Sequence, residues 1–359
     1  MDIGVIFGQM LVLLAMMAVG YFSYKKSWVT DDTAGHLSKL VVNIFNPILV
    51  VNGVLGQNSV AAGANIGWNI FFIVLYFVLL LIAGIFLPVV LRPENGHKNI
   101  YRLMTIFSNV GFMGIPVIKS ILGDEAMIYV AFYILGYNIM LYTVGMFLAQ
   151  KAGEEKVGTG SSYLEALAAN TANRMEEMTE QQAIREVFYQ TKKSGIAEFV
   201  KRMLNPGVLA ALFAVFIFAT GMQMPGPIVT FCDYMGNTTI PLSMIMIGIS
   251  MAQANLREVF TDWRMYAFIA LRMIVFPLAV MGIFNGVLGN LASDAVITAW
   301  NTMDANVFGV FMIELGMPVG SIIVMLTRES GGDADYCTRG VVLSTLASIV
   351  TIPFICAFL

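Results

Sequence analysis

Apolar runs, each about long enough to cross a bilayer, alternate with short polar stretches along most of the chain. A spanning helix needs roughly 20 apolar residues to cross a hydrocarbon core about 30 Å thick. Windows of that size fall at 3–24, 37–55, 66–91, 101–122, 127–149, 206–223, 228–252, 263–287, 304–326 and 338–358. The pattern predicts an all-α polytopic membrane protein with ten transmembrane helices. Gly and Pro interrupt the runs at 101–122 and 304–326. One long hydrophilic segment, 150–204, stands between the fifth and sixth windows. Its apolar positions, Phe188, Ile196, Phe199 and Val200, have helical spacing. That spacing predicts an amphipathic cytoplasmic linker between two five-helix halves, 1–149 and 205–359.

Composition agrees. The chain has 359 residues, 58% of them hydrophobic and 12% charged, whereas a soluble domain carries about 25% charged residues. The net charge of −3 and the lack of clustered base exclude nucleic acid as a partner. Cys232, Cys337, Cys356, His36 and His97 form no CxxC and no His pair one helical turn apart, so neither a disulfide framework nor a metal site is expected. The N-terminal run has no basic region before it and no small-residue cleavage site after it, so it reads as a span and not a cleaved signal. Of the 20 basic residues, all but Lys119 and Arg272 fall in or beside alternate loops. By the positive-inside rule those loops are cytoplasmic. The expected location is the plasma membrane, here a bacterial inner membrane, with a multi-pass chain and both termini outside.

The halves echo each other. Asn43-Ile-Phe-Asn-Pro47 in the second window matches Asn237-Thr-Thr-Ile-Pro241 in the seventh. Gly114-Ile-Pro116-Val117 in the fourth matches Gly316-Met-Pro318-Val319 in the ninth. The offsets differ slightly, which places a small insertion in the loop 288–302. With an odd number of helices per half, the second half inserts upside down. That is the inverted-repeat plan of secondary transporters.

Proline removes a backbone N–H, and in lipid a freed polar group costs several kcal/mol unless protein or a water-filled cavity receives it. The interrupted fourth and ninth windows therefore predict two broken helices that cross at mid-membrane. Their amide ends would suit an anion and their carbonyl ends a cation. Two ionisable residues lie at similar depth. Arg272 is eight residues past Arg264, roughly 12 Å in, and Glu314 is ten residues past Asp304, roughly 15 Å in. Arg272 either pairs with Glu314 or snorkels to the cytoplasmic surface. Glu314 can take a proton or a cation, with Ser108 and Asn109 as further oxygen donors. Asn138 could join them, and Ser344, Thr345 and Ser348 either join them or bond their own helix backbone.

These motifs resemble a known family. Asn109-Val-Gly-Phe-Met-Gly-Ile-Pro116, with the stretches at Met317-Pro318, Gly332-Asp333, Leu343-Ser-Thr345 and Ile352-Pro353, is similar to the auxin efflux carrier family, which includes plant PIN proteins and bacterial malate and malonate permeases. The resemblance implies two inverted five-helix repeats with crossing helices 4 and 9. It also implies a scaffold from helices 1, 2, 6 and 7, a transport domain from helices 3–5 and 8–10, elevator movement and a homodimer. Glu314-Leu-Gly-Met also looks like the sodium site of bile-acid sodium symporters, which share this plan. The expected function is secondary transport of a small organic anion, a carboxylate or dicarboxylate. Asn109, Gly111, Pro116, Gly316, Pro318 and Ser321 would hold it, with Asn43, Asn46 and Asn138 facing it. Glu314, Ser108 and Arg272 would bind the coupling proton or Na⁺, Na⁺ lying among Ser108, Asn109 and Glu314. No other cofactor is expected. A channel or a transporter-like sensor of the same fold is the alternative; an enzyme is not expected.

Overall fold

The computed structural model describes residues 3–55, 65–93, 96–158, 206–253, 260–290, 298 and 300–358. The linker expected at 150–204 lies outside them beyond Gly158, as does most of the loop 288–302.

The described chain is helical throughout. It begins with α1 (Ile3–Lys25), α2 (Asp31–Leu40) and α3 (Asn46–Asn52), followed by α4 (Ile66–Leu91) and α5 (Lys98–Ile106). Then come α6 (Ile115–Leu122), α7 (Met127–Met140), α8 (Met146–Gly158), α9 (Pro206–Thr220) and α10 (Gly226–Gln253). The chain ends with α11 (Trp263–Ala270), α12 (Phe276–Asn290), α13 (Ala305–Gly316), α14 (Ile322–Glu329) and α15 (Ala334–Cys356). Helices at 66–91, 124–155, 226–253, 263–286 and 334–356 are long and apolar enough to cross a membrane, and shorter apolar helices accompany them. The protein is thus a multi-pass helical membrane protein.

Of four wide π turns, Val41–Phe45, Leu141–Gly145 and Leu271–Val275 join helices end to end, and Val110–Gly114 leads into α6 from a non-helical stretch. Three of them have a sequence cause. Pro47, Pro116 and Pro277 each follow a π turn by two residues. A proline cannot donate to the turn before it, and a local π adjustment takes up the missing bond and the ring.

Packing is closest between α1 and α10. A side chain on Gly20 would run into the backbone of Ile245, and one on Gly248 into the backbone of Met17. The two helices therefore touch backbone to backbone, the contact that small residues permit inside a membrane. The α3 helix packs on α9 and α10, and Thr239 Oγ1 donates to the Phe45 carbonyl at 3.0 Å. In α4, Phe72, Tyr76 and Leu80 are buried, while Val74, Ile85 and Val89 are exposed. Exposed side chains on so apolar a helix have lipid as their solvent.

The α1–α10 contact predicts the cost of filling it. Gly248→Val should lower the thermal midpoint of the detergent-purified protein, by an overpacking penalty of at least about 1–3 kcal/mol. Gly8→Ala is the control, because a side chain at Gly8 meets nothing within 4 Å; its midpoint should hold or rise slightly.

Candidate functional site: the crossing of two broken helices

Both interrupted helices are broken, and the breaks meet. The α5 helix ends at Ile106 and α13 at Gly316, and short extended stretches follow each. They run antiparallel, with Ser108 opposite Val319. Asn109 N donates to the Pro318 carbonyl at 2.8 Å, and Gly320 N donates to the Phe107 carbonyl at 2.9 Å. Val319 N donates to Ser344 Oγ at 3.1 Å. Each stretch thus supplies partners that the other lost on leaving its helix. A side chain on Gly320 would come within 2.8 Å of the Ser108 carbonyl, so only glycine lets the strands close.

The fourth window breaks earlier than its proline suggests. The extended backbone lies at Phe107–Asn109, while Gly111 is inside the π turn and Pro116 sits in the first turn of α6. The helix itself starts at the cap Asn109, and the π turn before Pro116 takes up the bond that the proline cannot make. In the ninth window Pro318 lies inside the extended stretch. Gly316 closes α13, and a Cβ there would meet Ile355 Cδ1 at 2.5 Å; it is a packing position against α15.

Asn109, 4% exposed, caps the helix that follows. Its Oδ1 accepts from Phe112 N at 3.2 Å, and its Nδ2 is buried with no hydrogen-bond partner. Asn46 reaches the same place, its Nδ2 lying 3.9 Å from where a Cβ on Gly111 would be; its Oδ1 is also unpartnered. Asn43 does not reach it. It is exposed and donates to the Lys39 carbonyl of its own helix at 2.8 Å. Asn138 donates to the Ile134 carbonyl at 2.8 Å, and Thr345 and Ser348 likewise bond carbonyls of their own helix. Ser344 bonds its own helix too, yet also receives the strand through Val319.

Arg272 does not snorkel. It is 1% exposed and reaches into the crossing from the π turn Leu271–Val275. Its Nε donates to the Thr105 carbonyl at 2.9 Å, its Nη1 to the Leu315 carbonyl, and its Nη2 to Ser108 Oγ at 2.6 Å. Thr105 and Leu315 belong to the last turns of α5 and α13, where carbonyls lack helical partners. Arg272 and Glu314 form no ion pair, for the guanidinium is spent on those carbonyls. Glu314 is wholly buried. Its carboxylate lies against Gly114, 2.7 Å from where a Cβ would be, and neither oxygen has a hydrogen-bond partner.

Two contributors escape sequence reasoning. Tyr76 donates to Ser108 Oγ at 3.0 Å, and Tyr133 stacks edge-on against Tyr76 with centroids 5.6 Å apart. The signal for Tyr76 was a phenol within a run that is otherwise nearly pure hydrocarbon.

A cavity of about 880 Å³ opens beside the crossing. Tyr24, Ser243 and Gln253 line one side, from α1 and α10. Ser321, Arg328 and Arg339 line the other, from α14 and α15. Phe112 and Ser321 place the amide ends of both half-helices on its wall. Amide ends meet a cavity, and carbonyl ends meet a buried cation.

Helices broken and paired in mid-bundle, beside a cavity with charged and hydroxyl groups on a largely apolar wall, fit a membrane transport protein. The chain belongs to the membrane transport protein family, that of the auxin efflux carriers: the family's sequence profile matches residues 5–356. It is similar to an uncharacterized transporter of Methanothermobacter thermautotrophicus, 21% identical over 96% of this chain and 95% of that protein. It is also similar to auxin efflux carrier component 8 of Arabidopsis thaliana, 21% identical over 69% of this chain and 67% of that protein. It is a transport protein rather than an enzyme.

Removing the hub of the crossing should be costly. Ser108→Ala leaves Tyr76 and one guanidinium nitrogen buried without an acceptor, a loss of about 1–3 kcal/mol. The check is a lower thermal midpoint, with Ser120→Ala as the control, since Ser120 bonds the Val117 carbonyl of its own helix.

Proposed function

We propose that this protein is a secondary carrier for a small organic anion, a carboxylate or dicarboxylate, working by elevator-type alternating access. The observation that carries this reading is that the amide ends of both broken helices lie on the wall of the cavity. The positive dipole ends of the two half-helices favour an anion there. Asn109 Nδ2, buried and unpartnered, is the donor that a bound carboxylate would satisfy, with Asn46 across from it. Glu314 and Ser108 belong to the coupling site for H⁺ or Na⁺.

The same proposal includes ten membrane-spanning helices in two inverted repeats, both termini outside the plasma membrane, and a homodimer formed through the scaffold. In it the scaffold is α1–α3 with α9 and α10, and the transport domain is the rest. The cavity then lies between the two, open toward Arg328 and Arg339 on the cytoplasmic side.

Uptake of labelled dicarboxylates and aromatic acids into proteoliposomes tests it. A carrier saturates and shows counterflow; linear flux without counterflow sinks the reading in favour of a channel. Asn109→Ala should raise KM roughly tenfold to a hundredfold, the worth of about 1.5–3 kcal/mol for a hydrogen bond to a charged group, while the protein remains folded.

A further inference from the structure

The carbonyl ends of the two broken helices are the natural seat for a cation at the crossing, and that seat is filled from within. One guanidinium bonds the Thr105 carbonyl of α5, the Leu315 carbonyl of α13 and Ser108 Oγ between them. A metal ion at this seat would have to displace three hydrogen bonds and sit against a fixed positive charge. Beside the seat lies Glu314, wholly buried, with neither oxygen hydrogen-bonded. The ionisable groups facing it among the described residues are Arg272 from the π turn before α12, Tyr76 from α4, and Tyr133 and Tyr137 from α7. Arg272 is the one positive charge among them.

We infer that Arg272 is the built-in cation of the crossing and Glu314 its exchangeable counter-charge, so that a proton on Glu314, and not a sodium ion, is the coupling ion. This rests on the carrier reading above. With Glu314 ionised, it and Arg272 sum to zero and an anion at the crossing gains little. A proton on the carboxylate leaves a carboxylic acid and a net charge of one from Arg272. A solute carboxylate beside Asn109 Nδ2 then returns the sum to zero. Proton and anion favour each other reciprocally, and the loaded site carries no net charge through the membrane.

The test has arms that fail separately. Counterflow of labelled malonate and benzoate, at equal pH and sodium on both sides, tests the carrier reading alone. Accumulation is then driven by an inward-acid gradient or by a sodium gradient, with the membrane potential clamped to zero by potassium and valinomycin. One proton per solute gives about tenfold accumulation per pH unit, and the sodium gradient gives none. Glu314→Gln should lose the pH-driven accumulation, read relative to its own counterflow rate. Two further arms need no solute. Purified wild-type protein should bind no radiolabelled sodium saturably, and millimolar guanidinium should restore the lowered melting temperature of Arg272→Ala. Saturable sodium binding, sodium-driven accumulation, pH-driven accumulation that survives Glu314→Gln, or an Arg272→Ala protein that guanidinium does not restore would each overturn the inference. Loss of counterflow for both probes would instead overturn the carrier reading for these solutes. If Arg272→Ala fails to fold, sodium binding by the wild type decides.

Discussion

A peptide carbonyl or amide without a partner in hydrocarbon costs several kcal/mol, and interrupting two helices creates a group of them at once. The backbone pairing at the crossing answers that cost. The strands at Phe107–Asn109 and Pro318–Gly320 pair with each other. Ser344 takes the amide of Val319, and Arg272 takes one carbonyl from each helix end. Neither broken helix is satisfied alone. Each is viable only with the other in place, so the break is a joint property of residues more than 200 positions apart in the chain.

The geometry also separates the two polarities. A helix that stops and restarts presents carbonyls on one side of the gap and amides on the other. Here the carbonyls face Arg272, and the amides face a cavity of about 880 Å³. Ser108 sits between the two, accepting from Tyr76 and from Arg272. A single hydroxyl thus ties α4, the π turn at Leu271–Val275 and the strand to one point. Charge on the carbonyl side is felt on the amide side more strongly than it would be in water, because Arg272, Ser108 and Glu314 are buried. That is the physical basis for the proposed link between a bound anion and a coupling ion.

How much of this was legible in the sequence varies by residue. The broken helices were legible, because Gly and Pro interrupt apolar runs at 101–122 and 304–326. The break point in the first was not. Phe107, Ser108 and Asn109 include neither Gly nor Pro, and their extended backbone is imposed by the partner strand. Pro116, which looks like the breaker, needs only a π turn before it. That Arg272 lies within an apolar helix followed from the sequence, but its direction did not, since that depends on which face of α11 meets α5. Asn43 and Asn46 share one motif, and only Asn46 reaches Gly111. A π turn between Leu40 and Asn46 changes which face each occupies, and a pattern read at helical spacing cannot foresee it.

The contacts differ in kind across the bundle, and the difference bears on the proposed movement. Between α1 and α10, Gly20 and Gly248 bring backbone against backbone. Such a contact locks, because neither helix can slide or turn without driving a side chain into the other's main chain. Across the cavity the facing surfaces carry Met246, Met251 and Met325 with Ser243, Ser250 and Ser321. Methionine adapts to several packings at small cost, and hydroxyls exchange partners with water. A scaffold that must stay still while its neighbour travels needs rigid contacts inside it and adaptable ones at its border. The first kind is found between α1 and α10, and the second where α10 faces α14 and α15.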